Sequence, residues 1–238
     1  MKKLNLIAIK AFCALICLSL SGQLLSQQSS LGTDFWLAFN ETLAENPTAD
    51  PPRFIDLQIF ISSPTGASGS VEIDGIGFSE TFSVDADSLI TINIPDDALL
   101  LGENVIQSKG IHVVSDNPIS VYGLNQRTLT TDAYLALPTQ VWGSDYYVMS
   151  YANASSFTGS QFGVVAKEDN TILSITPTAS IGGNPAGVPF EVILNEGEVY
   201  QGRSGIGTDL TGTKVESNVP VGVFGSHLCG NVTVFEVA

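Results

Sequence analysis

The sequence predicts an all-β protein organised as two tandem immunoglobulin-like antiparallel β-sandwich modules. Three observations predict it. Apolar and polar residues alternate in short runs such as Leu57-Gln58-Ile59-Phe60-Ile61, Ile90-Thr91-Ile92-Asn93-Ile94 and Thr171-Ile172-Leu173-Ser174-Ile175, bounded by Gly, Pro, Asn and Ser, while helical periodicity is nearly absent beyond the first residues. A nine-residue segment, Ser115-Asp116-Asn117-Pro118-Ile119-Ser120-Val121-Tyr122-Gly123, returns as Ser217-Asn218-Val219-Pro220-Val221-Gly222-Val223-Phe224-Gly225, so the chain contains a repeat. Each copy divides into about seven short strands in ~100 residues, the density of an immunoglobulin-like sandwich.

The first element is a leader. Met1-Lys2-Lys3 is followed by the apolar run 11–20 and by small or polar residues at Ser21, Gly22 and Ser26. A positive start, an apolar segment of about 7–15 residues and a small-residue cleavage region define a secretory signal peptide, which occupies residues 1–27 on this reading. A spanning helix needs about 20 apolar residues, and Lys10 interrupts this run. Acylation of Cys17 is the alternative, disfavoured by the bulky Ile16 before it. Cleavage removes Lys2, Lys3, Lys10, Cys13 and Cys17, leaving Cys229 as the remaining cysteine, so the exported chain is expected to hold its cores by packing without an internal disulfide. No later run is long and apolar enough to span a membrane.

The first module is read over 32–142 and the second over 143–238. Gly32-Thr33-Asp34-Phe35-Trp36 opens the first and Gly143-Ser144-Asp145-Tyr146-Tyr147 the second, and Phe82 has its counterpart in Phe190. Strands are expected to start near Phe35, Leu57, Val71, Thr81, Leu89, Ile111 and Ile119, then near Tyr146, Phe162, Ile172, Pro189, Glu198, Thr213 and Val221. The last two strands of each module are joined by Ser-Asp-Asn-Pro or Ser-Asn-Val-Pro, where proline presets a turn, so the repeated segments are expected to be hairpins.

The 24 acidic residues against nine basic ones give a net charge of −15, which repels phosphate backbones and excludes nucleic acid as a partner. Candidate chemistry is sparse. His112 lies in a predicted strand at the position that Lys214 occupies in the other module and reads as an exposed strand residue. His227 and Cys229 fall on one face of a strand, an i, i+2 spacing that creates neighbours without purpose. Asp85 with Asp87 falls at a predicted hairpin turn, and Asp96 with Asp97 and Asp50 beside Glu45 lack EF-hand spacing. No nucleophile elbow, phosphate loop or zinc-helix motif occurs. No catalytic residue, metal ligand or cofactor is assigned.

Residues 124–142, between the modules, are long and mixed. They read either as a linker or as a ligand-contact loop on a rigid scaffold. Arg127 offers a cation for carboxylate or sulfate, Thr130, Thr131 and Asp132 offer hydrogen-bonding groups, and Tyr134 offers a stacking face. These five are the candidate binding residues.

The opening Gly-Thr-Asp-Phe-Trp, the Ser-Asp-Asn-Pro-Ile-Ser-Val-Tyr-Gly-Leu-Asn segment, Thr131-Asp132-Ala133-Tyr134-Leu135-Ala136-Leu137-Pro138, Asp145-Tyr146-Tyr147-Val148 and Gln161-Phe162-Gly163-Val164-Val165-Ala166 together resemble the N-terminal region of the IgGFc-binding protein family. The resemblance runs from about Gly32 to Cys229. It implies an exported binding or adhesion module, of the type found in large exported bacterial proteins as well as in an animal mucus protein, secreted or held at the cell surface. The implied partner is an extracellular protein or glycoprotein. A carbohydrate-binding or hydrolytic ectodomain is the alternative and needs an aromatic platform or convergent carboxylates; a structural spacer is the third reading. The second module is shorter after its Gly225 than the first after Gly123, so the chain is expected to be cut from a longer protein.

Overall fold

The computed structural model describes residues 29–43, 54–128, 130–151 and 159–229. The leader and the Asp50–Glu45 pair lie outside these residues. The described chain is all-β, with three one-turn 3-10 helices at Asp74–Ile76, Asp96–Ala98 and Thr139–Val141. The strands are β1 (Gly32–Leu37), β2 (Ile55–Ser63), β3 (Ala67–Ile73), β4 (Phe78–Val84), β5 (Ser88–Ile94), β6 (Val105–Gln107), β7 (Ile111–Arg127) and β8 (Thr130–Leu135). They continue with β9 (Gly143–Tyr147), β10 (Ser160–Val165), β11 (Thr171–Thr176), β12 (Phe190–Leu194), β13 (Val199–Arg203) and β14 (Lys214–His227). None of the described helices is long and apolar enough to cross a membrane.

Alternation explains the two cores. In β2, Leu57, Ile59 and Ile61 are fully buried, as are Leu173 and Ile175 in β11, because side chains two apart share a face of the sheet. One cluster gathers Phe35, Leu37, Ile59, Val71, Ile111 and Val121; the other gathers Phe162, Val164, Leu173, Leu194, Tyr200 and Val215.

Both sheets are antiparallel and repeat one pattern. The first half of β7 lies between β3 and β1, with Glu72 opposite His112 and Leu37 opposite Ile111; its second half lies between β2 and β8, with Ile59 opposite Gly123 and Gly123 opposite Tyr134. In β14 the first half lies between β11 and β9, and the second half pairs with β10. One long strand therefore serves both layers of each module and curls the sheet over its core.

This corrects the expected hairpins. Ile111 and Ile119 begin two halves of a single strand, as do Lys214 and Val221. Among the described residues, the non-glycine ones with positive φ are Asp87, Asn104 and Asn170, so the Ser-Asp-Asn-Pro stretch lacks the left-handed conformation that a tight hairpin needs. The strand bulges instead. Gly32 faces Ile119 while Asp34 faces Val114, and Gly143 faces Val221 while Asp145 faces Glu216. Pro118 and Pro220 sit inside the bulge, where a missing N–H costs no ladder bond. The same side chains secure it twice: Ser115 Oγ donates to Asn117 O at 2.8 Å and Ser217 Oγ to Val219 O at 2.6 Å. Ser68 N donates to Asp116 Oδ1 and Ile172 N to Asn218 Oδ1, each at 2.8 Å. Asp116→Ala and Asn218→Ala are each expected to lower stability by about 1 kcal/mol, measured by denaturant unfolding.

β6, drawn from within residues 32–142, pairs with β13 of the second sheet, Val105 opposite Gln201 and Gln107 opposite Val199. Its three residues carry no periodicity that could have assigned it. Asp85–Asp87 does form a turn, closed by Ser88 N donating to Asp85 O at 3.3 Å with Asp87 at φ 54°, but not the expected hairpin, because β4 pairs with β3 and β5 with β2.

Candidate functional site

Between the two modules runs residues 38–42, the continuation of β1. Being irregular, this segment has no ladder to satisfy its backbone, and side chains from both modules do so instead. Asn125 Nδ2 donates to Asn40 O at 3.4 Å, and Gln161 Nε2 donates to Glu41 O at 2.6 Å. Glu41 N donates to Gln201 Oε1 at 3.0 Å, and Leu100 N to Phe39 O at 2.9 Å. Asn40 Nδ2 reaches β14, donating to Phe224 O at 3.0 Å and to Ser226 Oγ at 2.7 Å. A third apolar cluster closes the junction: Trp36, Ala38, Leu100, Val165 and Val199, with Trp142 and Phe224 packed against it. Gly222 permits this contact, since a Cβ there would lie 2.8 Å from the Trp142 ring.

Beside this strut opens a cleft of about 830 Å³, within the ~300–1,000 Å³ range of ligand sites. β8 and residues 38–42 line one part; residues 149–151 and the end of β14 line the other. Its rim is apolar and exposed at Leu137 (51%) and Met149 (82%). Its charged lining is acidic, Glu41 and Asp132, with neither lysine nor arginine among the lining residues.

Residues 125–127 and 130–134 read as linker or contact loop, but in the structure they belong to the paired strands β7 and β8, with Arg127 opposite Thr130, Gln126 opposite Thr131 and Asn125 opposite Asp132. Of the five candidate residues, Thr130, Asp132 and Tyr134 line the cleft, whereas Arg127 and Thr131 do not. Asp132 is exposed and Arg127 is buried, 6% exposed. Tyr134 is a pillar of the junction: its hydroxyl donates to Ala38 O at 2.9 Å, and its ring meets Phe224 at 5.4 Å and Phe39 at 6.1 Å edge-on. Burial pushes its phenol well above the ordinary value. The ring also covers Gly123, where a Cβ would lie 2.6 Å from it.

Asn40, Met149, Tyr151 and Gln161 line the cleft without having been singled out in the sequence. A signal was available. Asn40 and Tyr151 each lie eight residues after a Gly-x-Asp opening, Gly32 and Gly143, so the repeat itself marks both segments that leave the opening strands. Asn40 Oδ1, Asn125 Oδ1, Gln161 Oε1 and His227 Nε2 are buried atoms without a hydrogen-bond partner, and all four belong to lining residues. Such atoms are uncommon in folded proteins, and water or a ligand in the cleft can supply their partners.

The two histidines have different roles. His112 is tied down rather than simply exposed: Nε2 lies 2.8 Å from Asp34 Oδ1, its ring stacks on Trp36 at 4.1 Å, and Thr139 Oγ1 donates to Asp34 Oδ2 at 2.6 Å. His227 accepts the Cys229 amide on Nδ1 at 3.0 Å and meets the Tyr151 ring edge-on. That amide occupies the nitrogen a catalytic base would use. Burial lowers the His227 pKa below its ordinary value, opposed by the charge of Asp209. The unfolded chain thus binds this proton more readily, so the contribution of His227 to stability is present above about pH 6.5 and is lost as the pH falls from there through the lowered pKa of the folded chain. His227→Gln is expected to flatten the fall in unfolding free energy between about pH 7.5 and 5.5; an unchanged slope would assign the dependence to other groups.

Residues 132–236 match the family described as IgGFc binding protein. The chain is also similar to the human IgGFc-binding protein, 30% identical over 178 residues, which is 72% of this chain and 3% of that protein. The chain thus corresponds to a small part of its relative's length. No solved structure matches it significantly. The family match begins in β8 and runs through β14, so it takes in strands from two sides of the cleft, and the chain belongs to the IgGFc-binding protein family.

Proposed function

We propose that the chain is a non-catalytic binding module of an exported protein, secreted or displayed at the cell surface, and that it recognises a protein or glycoprotein ligand through the junction cleft. The observation that carries this reading is the cleft itself, shaped by both modules and fixed by the strut at residues 38–42. Its lining combines carboxylates, amides and aromatic rings beneath an exposed apolar rim, a composition suited to non-covalent recognition. The name of the human relative supports a protein ligand.

The carbohydrate or hydrolytic alternative needs an aromatic platform or convergent carboxylates. Trp36 is 7% exposed, and Trp142 packs into the junction with its Nε1 donating to Leu137 O at 3.1 Å. Trp36 serves packing, whereas Trp142 packs against the junction and also lines the cleft.

The test is a glycan and glycoprotein array, including IgG Fc and mucin, probed with the full chain. On the ligand so found, the combined variant Asp132→Ala, Leu137→Ala and Met149→Ala is expected to weaken binding by about 1–3 kcal/mol with an unchanged unfolding midpoint. Unchanged affinity would place the binding surface elsewhere.

A further inference from the structure

Resting on that reading of the cleft, we propose that the ligand enters it as an extended polypeptide strand and pairs with the outer edge of β14 at residues 222–227. The repeat exposes the opening. The second half of β7 has a strand on each side, β2 and β8, whereas the second half of β14 has β10 on one side and, among the described residues, no strand on the other. At the equivalent glycines, Gly123 is buried beneath the Tyr134 ring supplied by β8, whereas Gly225 stays exposed although the backbone oxygen of Met149 lies against one of its faces.

The cleft is arranged around this edge. Phe224 and Ser226 point to one face of β14, where they meet Tyr134 and Asn40; Val223 points to the other face, into the second core. Cleft-lining residues lie on both sides, with Tyr134 and Trp142 on the first and Tyr146 and Met149 on the second. A cavity bounded from both faces of a strand encloses that strand's edge, and an unpaired edge is a template for another chain. Six residues of edge offer about 20 Å of pairing. The incoming strand would send alternate side chains toward Tyr134 and toward Met149. Asp132, exposed in a lining that holds neither lysine nor arginine, favours a neutral or cationic segment from a separate polypeptide.

The probe is a blocked seven-residue peptide with the sequence of residues 130–136, the strand that fills the corresponding edge of β7, carrying the Asp132→Lys change. It is added to the full chain and followed by amide hydrogen exchange and by fluorescence anisotropy. Amides of residues 222–227 that face away from β10 are expected to exchange freely in the chain alone and at least about tenfold more slowly with the peptide. Two versions N-methylated at alternate residues separate backbone pairing from side-chain contact. One is expected to lose binding by about tenfold or more and the other to keep it, because alternate N–H groups of a strand point to opposite edges. Equal binding by both, or no protection with peptide, overturns the strand proposal. Protection already present without peptide overturns it too, by showing that the chain's own residues cover the edge. In each case the cleft reading stands if the Asp132, Leu137 and Met149 variant still loses the array ligand, and fails with it otherwise.

Discussion

Replacing Tyr134 with alanine is expected to cost about 3 kcal/mol of stability, the lower end of the range for truncating a core aromatic residue, because the side chain is partly buried. The side chain carries three separate duties: it covers Gly123, packs edge-on between Phe39 and Phe224, and donates to the Ala38 carbonyl. Losing the ring opens a void where the two modules meet, so the cost falls on their docking as well as on β8. Tyr134→Phe keeps the packing and leaves the Ala38 carbonyl without this donor, and it is expected to cost about 1 kcal/mol. Denaturant unfolding of both variants separates the contributions. A cost below about 1 kcal/mol for the alanine variant, with ligand binding lost, would make Tyr134 a ligand contact rather than a pillar.

Glu41→Ala is expected to destabilise by about 3 kcal/mol. Glu41 Oε2 accepts from Gly102 N at 2.6 Å and lies 2.7 Å from Arg203 Nη1, in a pair whose side chains are 18% and 14% exposed. Removing the carboxylate strands a mostly buried guanidinium, whose other carboxylate, Glu103, is 3.3 Å away and 57% exposed. It also removes the acceptor of the Gly102 amide. Arg203→Ala is expected to cost less, because Glu41 keeps Gly102. The double variant should cost clearly less than the sum of the two, since the pair acts as one unit. Strict additivity in that cycle would show that the ion pair contributes nothing to holding the modules together.

Much of the fold was legible because its information is local. The alternation in β2 and β11 states which side chains are buried, and the repeated Gly-x-Asp and Ser-x-x-Pro signatures mark equivalent strands. What Ser-Asp-Asn-Pro does was not legible. Whether such a stretch reverses the chain or bends it depends on distant acceptors and donors, here the amides of Ser68 and Ile172, and on neighbouring strands that take up the bulge. β6 was invisible for a related reason: Val105-Ile106-Gln107 is too short for a pattern, and its partner β13 lies about a hundred residues away. The candidate site was half legible. Thr130, Asp132 and Tyr134 could be chosen for their chemistry, yet the segments facing them, residues 38–42 and 149–151, are irregular and satisfy their hydrogen bonds through side chains remote in sequence. Arg127 and Tyr134 show the limit of choosing residues by type: in the fold one is buried in the sheet and the other is built into the junction.

The most direct test of the cleft as the recognition site is backbone hydrogen exchange of the full chain, with and without the ligand identified by the array. Slowed exchange is expected along the walls of the cleft in both modules, at residues 38–42, 130–137, 149–151 and 222–227, with the Asp85–Asp87 turn at the far end of the first module unaffected. Protection confined to that turn or to the outer strands β4 and β12, with the cleft walls unchanged, would contradict the account.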